Sequence, residues 1–164
     1  MPITVRPMRP DEGRIFLELH SRSIRGLASA HYPPGVIDAW TIPPTDKNVT
    51  GLLENADGEI RVIAELDGEP VGLGVIVVGN SELRACYVAP EAARRGVGTA
   101  LVKEIERIAE ENGLERLELL SSVNAEQFYA SLGYKAGERT EHVLRTGRRM
   151  AAVTMTKLVT QWSR

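Results

Sequence analysis

The chain has 164 residues, 43% hydrophobic and 26% charged, with a formal net charge of −2 and a sequence pI of about 6.0. That length suits one domain spanning residues 1–164, the composition excludes a disordered chain, and the charge balance gives no global attraction for nucleic acid or anionic lipid. A single cysteine, Cys86, excludes an internal disulfide and a multi-cysteine zinc site. The three histidines, His20, His31 and His142, lie too far apart for a short metal-binding motif, so no metal is expected. Residues 1–6 lack the apolar run of a signal peptide, and no stretch approaches the roughly 20 apolar residues of a membrane span. A cytoplasmic protein with no membrane and no nucleic-acid partner is the expectation.

Residues 3–6 read as a first strand, stopped by Pro7 and Pro10. From Asp11 the pattern turns helical, with Phe16, Leu19, Ile24 and Leu27 on one face. Pro33-Pro34-Gly35 breaks that segment, and a short helix over residues 36–40 follows. Pro43-Pro44 opens a stretch without a clear period, ending near Asn55. Ile60, Val62, Ala64 and Leu66 then alternate with more polar neighbours, and Asp67-Gly68 turns the chain into Val71, Leu73, Val75 and Val77, a strand pair. Residues 83–88 form a further strand, closed by Pro90. Leu101, Val102, Ile105, Ile108 and Ala109 make the stripe of a long helix that ends at Asn112-Gly113. Leu117 and Leu119 mark another strand. Asn124 reads as an N-cap with Gln127 three residues on, Ala125, Phe128, Tyr129 and Leu132 share a helix face, and Gly133 stops it. Two strands, near residues 134–144 and 150–158, close the chain around Thr146-Gly147. The order β-α-α-β-β-β-α-β-α-β-β predicts a mixed α/β sheet with helices on its faces.

The most informative segment lies where the strand at residues 83–88 gives way to the long helix, through Ala93-Arg94-Arg95-Gly96-Val97-Gly98-Thr99. Glycines let the backbone bend and approach a ligand without a Cβ in the way. N–H groups at a helix start are unpaired within the helix and sit at its positive end, a setting suited to phosphate. Thr99-Ala100 follows Gly98 where a Walker loop needs Lys-Ser/Thr, and Leu101 stands where a dinucleotide fingerprint needs a third glycine. A nucleotide-binding α/β domain is disfavoured on those grounds.

With Val88-Ala89-Pro90 before it, this segment resembles the signature of the GCN5-related N-acetyltransferase (GNAT) family, a strand ending in Val-x-Pro followed by Q/R-x-x-G-x-G/A. The family's second motif, an asparagine, an aromatic-Tyr pair and then Gly-Phe/Tyr, is matched by Asn124, Phe128-Tyr129 and Gly133-Tyr134. The resemblance covers nearly the whole chain and implies a mixed, mostly antiparallel twisted sheet of about seven strands with about four flanking helices. It implies acetyl-CoA as co-substrate, no metal, and direct transfer of the acetyl group to a primary amine of a small molecule, amino acid or protein. The alternative is a non-catalytic acyl-CoA-binding module of the same fold. By position, the backbone of Cys86, Tyr87 and Val88 should pair with the pantetheine arm like an added strand. Arg94, Arg95, Gly96, Val97, Gly98 and Thr99 should enclose the pyrophosphate, and Asn124 and Tyr129 should lie against the cofactor. Ala93 departs from the family's Gln/Arg, so that side-chain contact is missing while the backbone amides remain.

Aminolysis of a thioester needs a neutral amine, a donor for the carbonyl oxygen and a proton for the leaving thiolate. Tyr129 is the expected acid, since a phenol stays protonated at neutral pH. Glu82 is the expected base by position, with Glu65 and His142 as alternatives. Cys86 lacks an activating neighbour in sequence and reads as a small buried hydrophobe rather than a nucleophile. His20, His31, Tyr32 and Trp40 hint at an aromatic wall for the acceptor. The two C-terminal strands offer an edge through which a homodimer could pair.

Overall fold

A computed structural model describes residues 2–160; residues 1 and 161–164 of the expected domain lie outside the described part. In chain order the elements are β1 (Ile3–Pro7), α1 (Gly13–Leu27), α2 (Pro34–Trp40), α3 (Asp46–Glu54), β2 (Ile60–Leu66), β3 (Glu69–Val77) and β4 (Glu82–Val88). They continue with α4 (Val97–Glu111), β5 (Arg116–Ser122), α5 (Glu126–Ser131), β6 (Lys135–Val143) and β7 (Arg149–Leu158). The seven strands form one sheet in the order β1-β2-β3-β4-β5-β7-β6, and every neighbouring pair is antiparallel except β4–β5.

Asp67 and Gly68, both at positive φ, make the tight turn between β2 and β3 that the Asp-Gly signal predicts. The inner strands are buried on both faces. Val62, Ala64 and Ile76 meet the stripe of α4, Leu101, Val102, Ile105 and Ala109, while Ile63, Leu73 and Val75 meet Phe16, Leu17 and Leu19 of α1. Leu27, assigned to the same stripe as Phe16, Leu19 and Ile24, is instead 37% exposed at the end of α1.

Helix α3 is the one helix the sequence pattern leaves unmarked, which makes five helices where about four are expected. It buries no residue, so it carries no strong apolar stripe; it is set by its cap, with the Asn48 N–H donating to Thr45 Oγ1 at 3.2 Å. Strand β6 forms one edge of the sheet and is exposed along its whole length. Lys135, Glu138, Arg139 and Glu141 place charges along that edge, the pattern that discourages strand-to-strand association.

One partly buried ionic cluster ties β1 to β2 and to the turn before α1. Arg6 donates to Glu12 through both terminal nitrogens, at 2.8 and 2.7 Å, and to Glu65 at 2.9 Å. Arg6, chiefly through these hydrogen bonds, holds the Glu12 carboxyl down at about 2 against an ordinary 4.5. A carboxyl whose pKa is lower in the folded than in the unfolded protein stabilises the fold above the unfolded value, and that contribution fades as pH falls toward the folded one. Glu12→Gln is therefore expected to cost about 3 kcal/mol at pH 7. The gap between wild type and variant should close between about pH 4.5 and pH 2, measured by urea unfolding across that range.

Candidate active site

Strands β4 and β5 pair at one register position, Glu82↔Glu118, and then diverge. On its other side β4 pairs with β3, in unbroken register from Ala85 to Val88 beyond an irregularity at Arg84, and the Ala89 N–H donates to the Val71 carbonyl at 2.7 Å. Main-chain groups of successive residues in a strand point to opposite edges. Ala85, Tyr87 and Ala89 thus turn their N–H and C=O groups toward β3, and Cys86 and Val88 turn theirs into the gap beside β5. The gap is an unpaired sheet edge inside the molecule.

A cavity of about 490 Å³ opens there, lined by Cys86, Tyr87 and Val88 of β4, by Ile24 and Ala28 of α1, and by Asn124 and Phe128 from the far side. Its mouth is the turn into α4, where Ala93, Arg94, Gly96, Gly98 and Thr99 line the wall. Arg94 and Gly96 sit at φ 63° and 86°, left-handed conformations alternating along the turn. That curl is how consecutive N–H groups come to share one anion. None of the N–H groups of residues 94–99 donates to a backbone carbonyl among the described residues. Arg94 and Arg95 form no ion pair there either. Val97, 1% exposed, sends its side chain into the core and leaves only its backbone at the turn. A Cβ on Gly98 would meet the Phe128 ring at 2.9 Å. The corner is therefore open and positively polarised, with no room for a side chain at position 98.

Residues 22–134 match the model of the acetyltransferase (GNAT) family. The chain belongs to the GNAT family. A crystal structure of a GCN5-related N-acetyltransferase from Rhodopseudomonas palustris superimposes with a TM-score of 0.86 at 30% identity, covering 96% of each chain. The uncharacterized N-acetyltransferase MJ1207 of Methanocaldococcus jannaschii is 26% identical over 90% of this chain and 67% of its own length. The PaiA N-acetyltransferase of Thermoplasma acidophilum, solved in complex with coenzyme A, shares the fold at 18% identity and a TM-score of 0.76, covering 96% of this chain and 99% of its own.

The GNAT motif residues are distributed unequally. Asn124 lies on the cavity wall in a single 3-10 turn, Val123–Ala125, and does not cap α5, which begins at Glu126 behind Ala125. Its Oδ1 is buried with no hydrogen-bond partner. Such an orphaned acceptor is costly unless a ligand satisfies it. Tyr129 is 6% exposed in the core behind the cavity wall, between Phe128 at 5.1 Å and Tyr134 at 5.9 Å. Burial, with Cys86 and Tyr87 adding to it, pushes its phenol well above the ordinary value, so it holds its proton. Its hydroxyl takes part in no hydrogen bond among the described residues. Burial likewise pushes the Cys86 thiol up to about 12, and the Sγ rests 3.8 Å from the Gly98 carbonyl. A thiol that stays protonated is a poor nucleophile, as the sequence reading expects.

The carboxylates read as bases are not brought to the gap. Glu82 sits at the opposite end of β4 from Val88, roughly 20 Å away at strand spacing, paired with Arg84 at 3.1 Å, and it lines neither this cavity nor the next. Glu65 is held by Arg6 on the far side of the sheet. The aromatic group also divides. His31 lines the first cavity, His20 and His142 a second one of about 280 Å³, and Tyr32 neither. Tyr32 is a structural tie, accepting from the Val123 N–H at 2.8 Å and donating to the Ala151 carbonyl.

Trp40 and Tyr87 line both cavities and form the partition between them, with the Trp40 indole donating to the Tyr87 hydroxyl at 3.1 Å. His20 stacks edge-on to Tyr87 at 4.7 Å, and its Nδ1 is buried without a partner. Burial lowers its pKa to about 4, so the imidazole is neutral at physiological pH. This second cavity carries no sequence motif, and pattern reading alone does not find it.

Proposed function

We propose that the protein is an N-acetyltransferase that takes its acetyl group from acetyl-CoA and passes it directly to a primary amine. The observation that carries this reading is the run of unspent amides at residues 94–99, opening onto a cavity that ends at the free main-chain edge of Cys86 and Val88. The turn suits a diphosphate, and the strand edge suits the amide-bearing pantetheine arm as a substitute strand. Asn124, with its orphaned Oδ1, supplies an acceptor for an amide N–H of that arm.

In this arrangement the Val88 N–H donates to the thioester carbonyl and stabilises the charge that grows there. Tyr129 would give its proton to the departing thiolate and regain one from the proton that the attacking nitrogen sheds as the amide forms. Among the described residues no unpaired carboxylate lines either cavity, and the amine loses its proton to solvent or through His20 and His142. An ammonium entering a pocket walled by Phe16, Trp40, Tyr87 and neutral His20 is desolvated, which lowers its pKa and favours the neutral nucleophile. The second cavity, reached across the Trp40–Tyr87 partition, is where the amine binds. A module that only bound acyl-CoA would have no use for it, which favours the enzyme over the binding module.

Acetyl-CoA at about 100 times its Kd is expected to raise the melting temperature by roughly 5–10 °C, through binding to the folded state alone. Mixing with an amine acceptor is expected to release free CoA thiol. A melting temperature unmoved by millimolar acetyl-CoA would remove the donor from the reading.

A further inference from the structure

Resting on that transferase reading, we infer that the acceptor is a compact, mainly apolar primary amine that also carries a carboxylate, as a free hydrophobic α-amino acid does, and that Arg145 is the group that selects it. The second cavity, about 280 Å³, falls just below the range of roughly 300–1,000 Å³ usual for small-molecule pockets, which limits its occupant to a compact one. Its floor is apolar, made by Phe16, Ile42, Leu52, Val75 and Leu144.

The charges on its wall are unequal in their pairing. Arg84 is held by Glu82, Asp57 and Glu59, and Glu59 is in turn held by Arg61 at 2.8 Å and by Arg84 at 3.0 Å. Neither group has charge to spare for a ligand. Arg145 is the other guanidinium of the wall, and it has no carboxylate partner among the described residues. Its one hydrogen bond goes to the Thr41 carbonyl at 3.2 Å, which anchors it across the cavity from the tight turn joining β6 and β7 to the end of α2. A guanidinium fixed by one nitrogen keeps the rest of its donor fork for a carboxylate.

The two ends of the cavity thus differ. Exposed Arg145 stands at the outer rim, and Tyr87 and Trp40 at the inner wall shared with the donor cavity. A molecule with a carboxylate outward and an amine inward is placed with its nucleophile at the partition. Glu59, already neutralised, offers no site for a second ammonium, so diamines have no partner for their far end.

The test compares leucine, leucinamide and 3-methylbutylamine as acceptors, which share one apolar body and differ in the carboxylate. For the full-length protein, kcat/KM for leucine is expected to exceed that for the other two by roughly 10–100-fold, the worth of a charge-assisted hydrogen-bonded pair. Arg145→Ala should abolish that preference by weakening leucine alone, and Arg145→Lys should restore part of it. Equal use of acid and amide, an equal loss for all three in Arg145→Ala, or rejection of all three by a protein whose melting temperature acetyl-CoA does raise would overturn the inference and leave the transferase reading standing. Failure of acetyl-CoA to shift the melting temperature marks the other failure, that of the donor site itself.

Discussion

Tyr129→Phe is expected to lower kcat by roughly 10²–10⁴ while leaving acetyl-CoA affinity and the melting temperature nearly unchanged. The separation of the three readouts follows from how the residue is packed. Its ring fills a slot between Phe128 and Tyr134, and phenylalanine fills the same slot without a cavity. Its hydroxyl has no hydrogen-bond partner among the described residues, so removing it strands no buried donor or acceptor. A hydroxyl that contributes nothing to the fold and holds its proton against neighbouring Cys86 and Tyr87 is placed for the leaving group or for nothing. Steady-state kinetics beside isothermal titration with acetyl-CoA decide between the two. A rate within a few-fold of wild type would return Tyr129 to the core and leave protonation of the thiolate to solvent.

The second large effect is expected at the turn before α4. Gly96 has φ 86°, where any L side chain is strained by about 1–2 kcal/mol. The only atom near a Cβ built there is Ile3 Cδ1 at 3.7 Å, so substitution meets no clash. Gly96→Asp should therefore fold, with a modest drop in melting temperature, yet set a carboxylate beside the amides that would bind the diphosphate. Loss of acetyl-CoA affinity on the order of 10²-fold or more is the expected result in a calorimetric titration. Gly79→Asp, at a surface turn with nothing within 4 Å of a Cβ, serves as the charge-matched control and should leave affinity unaltered.

The parts of the molecule legible in the sequence are those where one local rule dominates. The β2–β3 hairpin is written in a period of two and an Asp-Gly turn, and α4 in a 3.6-residue stripe whose five apolar members are all buried or nearly so. The anion turn is legible because its glycines serve backbone geometry, which is local. Helix α3 is not, because none of its residues is fully buried: it is set by the Thr45 cap and by the half-buried Val49 and Leu52, too few to make a readable stripe. Asn124 carries the sequence look of a cap, but the chain makes a 3-10 turn first, and the side chain goes to the cavity wall instead. Glu82 and Glu65 are candidate bases only until their partners are known: Arg84, two residues on in the same strand, holds the first, and Arg6 reaches the second from β1. The second cavity draws on α1, α2, β4 and the turn between β6 and β7, elements far apart in the chain, so no spacing of residues announces Arg145.

The single pair joining β4 to β5 divides the sheet into a four-stranded and a three-stranded half, bridged otherwise by helices and by Tyr32. An extended molecule bound along Cys86 and Val88 would act as an eighth, exchangeable strand, so the donor would also be a structural component of the protein it serves. The two halves should then loosen and tighten together with donor supply, and slowed amide exchange on β5, well away from the diphosphate turn, would record that stitching.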